Sequence, residues 1–177
     1  MIKNFLYSEV IFLLPCVFFL VACNPFAPTE DNSLEETGSL LSDQMNPDGV
    51  FQNLKYAYTF RDTTIYGHLI DGNFLFVYPD YDLGGAEFSW GRDEEMKTTY
   101  GLFQIAQRLD LVWNNIIDSS SRDSYKTEAS ISRGFNLTVT FNASDIIRAD
   151  GYASLQLGRP STEDPWMIVR WHDDSNH

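Results

Sequence analysis

The alternation of hydrophobic and polar positions divides the 177 residues into three parts. An uninterrupted apolar run covers positions 10–22, a polar and acidic stretch covers positions 24–46, and from position 47 onward apolar residues recur with the periods of helices and strands. Only the third part has the patterning that buries one face of each element. We therefore expect a single folded domain over residues 47–174.

Helical periodicity marks the start of this domain. Asn46-Pro47 predicts a helix start, because Asn caps helices and Pro is tolerated at the first helical position. The apolar residues that follow at helical spacing are Val50, Phe51, Leu54, Ala57 and Tyr58. Asp62 predicts the cap of a second, short helix that ends at Asp71-Gly72-Asn73. Its expected buried stripe is Ile65, Tyr66, Leu69 and Ile70.

A short strand and a third helix are predicted next. Phe74, Phe76 and Tyr78 alternate as in a strand that Pro79 closes, and a loop containing Gly84-Gly85 leads to Trp90. From about Asp93, the positions Met96, Tyr100 and Phe103 fall at i, i+4 and i+7, which predicts the buried stripe of a helix. We interpret Asp93-Glu94-Glu95 as favourable charge in its first turn, not as a catalytic pair.

The rest of the domain has the two-residue period of strands. Leu109, Leu111 and Trp113 alternate, and a longer set then shares one parity: Tyr125, Thr127, Ala129, Ile131, Phe135, Leu137, Val139 and Phe141. A two-residue hairpin at Arg133-Gly134 would break that parity, which leaves a three-residue turn or one long strand bent at Gly134. Further strands are expected around Tyr152–Leu157 and Trp166–His172.

Composition and charge exclude several classes of partner and site. A hydrophobic fraction of 44% is ample for one core, while a net charge of −13 and scattered basic residues argue against nucleic acid as a partner. The two cysteines, Cys16 and Cys23, both precede the domain, so a disulfide or a cysteine metal site within it is excluded. The histidines have no metal-binding spacing. We therefore expect no metal and no cofactor.

The apolar run has the length of a signal peptide. Thirteen residues, Val10 to Ala22, are too few for a transmembrane helix, which needs about 20, but fit the apolar region of a secretory signal. Leu20-Val21-Ala22-Cys23 resembles the lipobox of bacterial lipoproteins. The resemblance implies cleavage after residue 22 and lipidation of Cys23. The alternative is an ordinary secretory signal with an incidental cysteine.

Residues 23–46 are expected to tether the domain to the membrane. The stretch is acidic and contains no Lys or Arg, so it predicts a flexible, self-repelling linker. Asn24 follows the cysteine in place of the Asp that marks inner-membrane retention in enterobacteria. The expected location is therefore the cell envelope, at the outer membrane, on its periplasmic face or at the cell surface.

Three sequence segments resemble the NTF2-like (SnoaL, ketosteroid-isomerase-like) superfamily, particularly its small bacterial lipoproteins. They are NLKYAYTFRDTTIYGHLIDGNFLFVYP, SWGRDEEMKTTYGLF and the terminal WMIVRWHD, and the resemblance covers about residues 47–174. It implies an α+β fold in which three N-terminal helices pack on a strongly curved antiparallel sheet, a cone with a pocket at its wide end. Some members are isomerases, dehydratases or cyclases, and others bind without chemistry, so the fold does not determine the function.

The isomerase members of this superfamily use a carboxylate base, a tyrosine and a protonated acid inside the cone. Tyr56, Tyr58 and Asp71 fall only loosely where such groups lie, and the third group has no match, so we assign no catalytic residue. The pocket candidates are Tyr58, Asp71, Trp113, Arg133 and Arg170. If Arg133 or Arg170 points inward, it offers an anion site; an ion pair or a position at the rim is the alternative.

The favoured hypothesis is therefore a non-catalytic lipoprotein that binds a small apolar ligand or a protein partner. The alternatives are an NTF2-like enzyme of isomerase or dehydratase type and, for the fold, a lipocalin-like barrel. Relatives of this shape often pair through the open face of the sheet, and no residue pattern here decides for or against a homodimer.

Overall fold

The computed structural model describes residues 40–81, 84–121 and 126–176, which belong to one compact unit, Gly38–His177. Within these residues the elements are α1 (Pro47–Phe60), α2 (Thr63–Leu69), β1 (Ile70–Asp80), β2 (Ala86–Gly91), α3 (Arg92–Ile105), β3 (Arg108–Ser121), β4 (Glu128–Asn142), β5 (Asp145–Gly158) and β6 (Met167–Asn176). In this part of the chain no helix is long and apolar enough to cross a membrane.

Both predicted helix caps are present. The side chain of Asn46 accepts a hydrogen bond from the backbone N–H of Gly49 at 3.0 Å and starts α1. Asp62 accepts from the N–H groups of Thr64 and Ile65 at 2.9 and 3.0 Å and starts α2. Each cap satisfies N–H groups that the first turn of a helix leaves without a partner.

The second helix ends earlier than predicted. It stops at Leu69, because Ile70 is already extended and pairs with Ile168 of β6. The residues Asp71-Gly72-Asn73, predicted as the helix end, lie in β1 at an irregularity of the pairing between Ile70 and Leu75. Residues 86–91, predicted as part of a loop, form β2 and pair with β1.

The six strands form one curled, open sheet in the order β2-β1-β6-β5-β4-β3. Four of the five pairings are antiparallel, and β1 pairs with β6 in parallel. The expectation of a wholly antiparallel sheet is wrong at this one pairing. The chain leaves β1 early and returns to its other side only at the end, so β6 lies in the interior of the sheet, between β1 and β5.

Strand β4 runs unbroken through Arg133-Gly134. Its pairing with β5 continues there, with Arg133 opposite Ala153 and Gly134 opposite Tyr152. The irregularities lie in the pairing of β3 with β4, between Trp113 and Ile116 and between Ile116 and Asp118. Of the two alternatives left by the sequence, the long strand is therefore correct. Tyr125 of the predicted parity set lies outside the described residues.

The core lies between the inner face of the sheet and the helices. Its largest fully buried side chains come from α1, α2 and four strands: Phe51, Leu54, Tyr66, Leu69, Ile70, Phe74, Leu109, Leu155 and Ile168. The chain just before α1 is fastened to this core. Ser42 N donates to Asn53 Oδ1 at 2.7 Å, and Gln44 Nε2 donates to the Trp166 carbonyl at 2.7 Å.

Candidate functional site

A cavity of about 140 Å³ lies against the inner face of the sheet. Two helices and five strands contribute to its wall, which is mostly aromatic and aliphatic. The lining residues are Tyr58, Phe76, Glu95, Leu111, Trp113, Phe135, Leu137, Ala149, Trp171 and Asp173. We call this space the cone cavity. Its polar groups are few and come from separate elements, an arrangement typical of small-molecule sites.

Glu95, near the start of α3, is the most enclosed ionisable group of the cone cavity, with 5% of its surface exposed. Three donors converge on its carboxylate. The Tyr66 hydroxyl and the Thr99 hydroxyl donate to Oε1 at 2.5 and 2.9 Å, and Trp90 Nε1 donates to Oε2 at 2.6 Å. Charge-assisted hydrogen bonds of this kind stabilise a buried carboxylate.

Tyr58, on α1, experiences the negative charge of this site directly. Burial of its hydroxyl raises its pKa above the usual range, and the nearby charges of Glu95 and Asp173 raise the pKa further. The pKa of Tyr66 is raised too, first by burial and then by Tyr58 and Glu95. Both tyrosines are therefore neutral hydrogen-bond donors at physiological pH.

A bulge in β6 decides which of its residues face the cone cavity. Leu157 pairs with Ile168 but Gln156 pairs with Arg170, so β6 carries one extra residue at Val169. After this bulge, Trp171 and Asp173 lie opposite the buried Leu155 and Ala153 and line the cavity. Arg170 lies opposite Gln156 instead, so the parity that favoured it as an inward residue does not hold across the bulge.

The other pocket candidates occupy different places. Tyr58 and Trp113 line the cone cavity, and Trp113 Nε1 donates to the Phe51 carbonyl at 3.0 Å. Asp71 is not a lining residue; its carboxylate accepts from the Asn73 N–H in β1.

Arg133 does not line the cone cavity either. It donates to the Asn114 carbonyl at 2.6 Å, lies over the Phe51 ring and approaches Asp48 at 3.8 Å. Its guanidinium thus faces the first turn of α1, where it packs rather than offers an anion site.

Glu95 lies in the first turn of α3, as predicted, but its side chain is buried in the domain, which the sequence analysis did not predict. The buried face of α3 consists of Glu95, Thr99 and Phe103, while Tyr100 is 54% exposed. The sequence contains a signal for this buried face, because Glu95, Thr99 and Phe103 follow i, i+4, i+8 spacing. That spacing is as regular as that of Met96, Tyr100 and Phe103, the predicted stripe. Asp173 was missed because the bulge at Val169 reverses its parity.

Among the described residues, no group of three or more His, Cys, Asp or Glu side chains is arranged to hold a metal ion. A second, larger depression of about 490 Å³ lies between the start of α1 and the ends of β3 and β4. There Arg159 stacks over the Trp166 ring at 4.3 Å and donates to the Lys126 carbonyl. This depression lacks the converging buried polar groups of the cone cavity.

No protein-family profile matches the chain. No curated protein matches it significantly by sequence.

Solved structures do resemble it. A putative scytalone dehydratase from Novosphingobium aromaticivorans matches with a TM-score of 0.58 at 14% identity, over 73% of this chain and 81% of its own. A ketosteroid isomerase-like protein from Erwinia carotovora atroseptica matches with a TM-score of 0.53 at 14% identity, over 76% and 95%. An NTF2-like protein of unknown function in nutrient uptake from Rhodospirillum rubrum matches with a TM-score of 0.53 at 12% identity, over 72% and 95%. At these identities the likeness establishes the fold, and the predicted α+β cone is confirmed.

Proposed function

We propose that this chain of NTF2-like fold is an exported lipoprotein, anchored through Cys23, whose cone cavity binds a small ligand with a mostly apolar surface. The observation that carries the binding role is the cavity itself: about 140 Å³ of space lined by aromatic and aliphatic side chains around a few polar groups. A cavity of about 150 Å³ accommodates benzene. The ligand, or the part of it that enters, therefore has about six to eight heavy atoms.

The polar groups would orient this ligand. The tyrosine hydroxyl of Tyr58 and the carboxylate of Asp173 belong to the wall. Trp171, another wall residue, keeps its Nε1 buried without a hydrogen-bond partner among the described residues. A ligand oxygen that accepts from this N–H would relieve the cost of leaving a buried donor unsatisfied.

The anchor and location rest on the sequence. The signal-like apolar run, the lipobox at 20–23 and the acidic stretch after it favour a domain held on a lipid surface, and Asn24 favours the outer membrane. Of the two binding roles that the sequence leaves open, the small volume and mostly apolar wall of the cavity favour the small ligand over a protein partner.

The test is a titration of the purified protein with neutral and charged probes of six to eight heavy atoms, followed by tryptophan fluorescence. Trp113 and Trp171 line the cavity, so occupancy is expected to change their emission. Ala149→Leu would fill the cavity and is expected to abolish the response. Ala143→Leu, in the exposed turn between β4 and β5, is the matched control. No response to any probe, or an unchanged response in Ala149→Leu, would refute the binding role.

An enzyme of isomerase type is the second candidate, because one observation favours it. Tyr58, Glu95 and Asp173 bring a tyrosine and two carboxylates to one cavity, the group types that the isomerase chemistry of this fold requires. In that case Asp173 would move a proton between carbons of a small enone while Tyr58 donates to its oxygen. Conversion of cyclohex-3-enone to cyclohex-2-enone, followed by ultraviolet absorbance, tests it. The activity should disappear in Tyr58→Phe and in Asp173→Asn.

A further inference from the structure

The cone cavity combines carboxylates with aromatic side chains. Half of its ten lining residues are aromatic, two are carboxylates, and none is Lys, Arg or His. The face of an aromatic ring is the negative end of its quadrupole, so it attracts cations, most strongly where water is excluded. The aromatic rings and the carboxylates of the cone cavity therefore both favour a positively charged ligand.

Glu95 has no Lys, Arg or His partner within ion-pair distance in the described part of the chain. Its partners are the neutral donors Tyr66, Trp90 and Thr99, and it forms no ion pair there. The negative potential extends into the cavity, since Glu95 and Asp173 both act on the Tyr58 hydroxyl. An anionic ligand would be repelled by two carboxylates.

We propose that the ligand of the cone cavity is a small organic cation, an alkylated ammonium group with an apolar outer surface. The inference rests on the proposed binding function and names its ligand class. A primary ammonium needs three hydrogen-bond acceptors, whereas Glu95 already accepts three hydrogen bonds from the protein, so Asp173 would have to supply most of them. A quaternary ammonium needs none. It gains from ring faces and from nearby negative charge without directional bonds, and a trimethylammonium group with a short arm matches the cavity volume.

The experiment compares choline with 3,3-dimethylbutan-1-ol, which replaces the charged nitrogen by carbon and keeps the shape. Binding of each to the full chain, purified in a maltoside detergent, is measured by isothermal titration calorimetry. We expect choline to bind at least about tenfold more tightly, because both the ring faces and the carboxylates distinguish the charge.

Two variants of neighbouring residues on β6 distinguish the effect of a charge in the cavity wall on binding from the effect of a charge elsewhere on the strand. Asp173→Asn removes a charge from the wall and is expected to weaken choline binding about tenfold while leaving the alcohol unaffected. Asp174→Asn is the matched control, because Asp174 lies one position along the strand and approaches His172 Nε2 at 3.5 Å. It should leave both affinities unchanged. Thermal unfolding of each variant verifies that the domain is folded.

The outcomes are distinguishable. If choline and the alcohol bind equally, or if Asp173→Asn weakens both alike, the charge inference is overturned while the binding role stands. If neither choline nor the alcohol binds but neutral aromatic probes do, the charge inference is likewise overturned and the binding role stands. If no probe of any class binds, the charge inference and the proposed function fall together.

Discussion

Two glycines in helices occupy opposite environments, and the difference predicts opposite effects of alanine. A Cβ at Gly49 would lie 2.1 Å from Ser42 Oγ and 3.1 Å from the Gln44 backbone, whereas a Cβ at Gly101 meets nothing within 4 Å. We expect Gly49→Ala to lower the free energy of unfolding by about 1–3 kcal/mol, because the segment before α1 must move. Gly101→Ala should raise it by about 0.5–1 kcal/mol. Urea unfolding measures both, and stabilisation by Gly49→Ala would contradict the packing of Ser42 on α1.

The tyrosines beside Glu95 predict a loss of stability at alkaline pH. The pKa of Tyr58 and that of Tyr66 are raised in the folded state, by burial first and by neighbouring groups second. Unfolded tyrosines lose their protons near about pH 10, while the folded protein retains these two. The free energy of unfolding should therefore be constant with respect to these groups below about pH 9 and fall as the pH rises above about 10.

The variant Tyr66→Phe tests the origin of this slope. It removes one of the retained protons, so the decline above about pH 10 should be shallower by up to about 1.4 kcal/mol per pH unit. The same variant loses the hydrogen bond to Glu95 and should be less stable at neutral pH. Urea titrations at several pH values separate the two effects. An unchanged alkaline slope would show that Tyr66 does not cause it.

At the scale of elements, the short helix α2 is stabilised by a residue of another helix. Its seven residues are too few to be stable alone. The guanidinium of Arg92, at the start of α3, donates to the Gly67 carbonyl at 2.9 Å and to the Ile70 carbonyl. It thereby satisfies carbonyls that the end of a helix leaves without partners.

We expect Arg92→Ala to lower the free energy of unfolding by about 1–3 kcal/mol, because these carbonyls lose a charged donor. Arg108→Ala is the control: its ion pair with Asp110 spans 2.8 Å, but its side chain is 71% exposed, so the loss should stay below about 1 kcal/mol. Equal losses in the two variants would assign the effect of Arg92 to general charge and not to the end of α2.

The elements differ in how far the sequence could predict them. The starts of α1 and α2 were predictable because Asn46 and Asp62 are local caps. Strand β4 was predictable because its apolar residues keep one parity along nearly its whole length. The parallel pairing of β1 with β6 and the bulge at Val169 depend on contacts between distant segments, which local periodicity does not contain. For this reason the site was predicted only in part: Tyr58 and Trp113 line the cavity, whereas Glu95 and Asp173 were found only in the structure.

At the scale of the whole molecule, the proposal assigns ligand binding to the folded domain and membrane attachment to Cys23. The described residues before α1 are already bonded to the domain, at Ser42 to Asn53 and at Gln44 to Trp166. In this proposal the position of the protein would be set by a lipid on Cys23, whatever the cone cavity binds. The anchor can therefore be tested independently of the cavity.

The chain contains a matched control for that test, since its two cysteines lie seven positions apart in the sequence. In a bacterial host, the full chain is expected to incorporate labelled fatty acid and to yield a mature N-terminus at Cys23. Cys23→Ala should abolish incorporation, because the thioether to diacylglycerol has no other acceptor, whereas Cys16→Ala, within the apolar run, should leave it intact. Stable retention on membranes requires more than one acyl chain, so only the lipidated forms should resist extraction from vesicles by high salt. Label in Cys23→Ala, or its loss in Cys16→Ala, would contradict lipidation at Cys23. An unlabelled full chain would leave an ordinary secretory signal as the explanation of the apolar run.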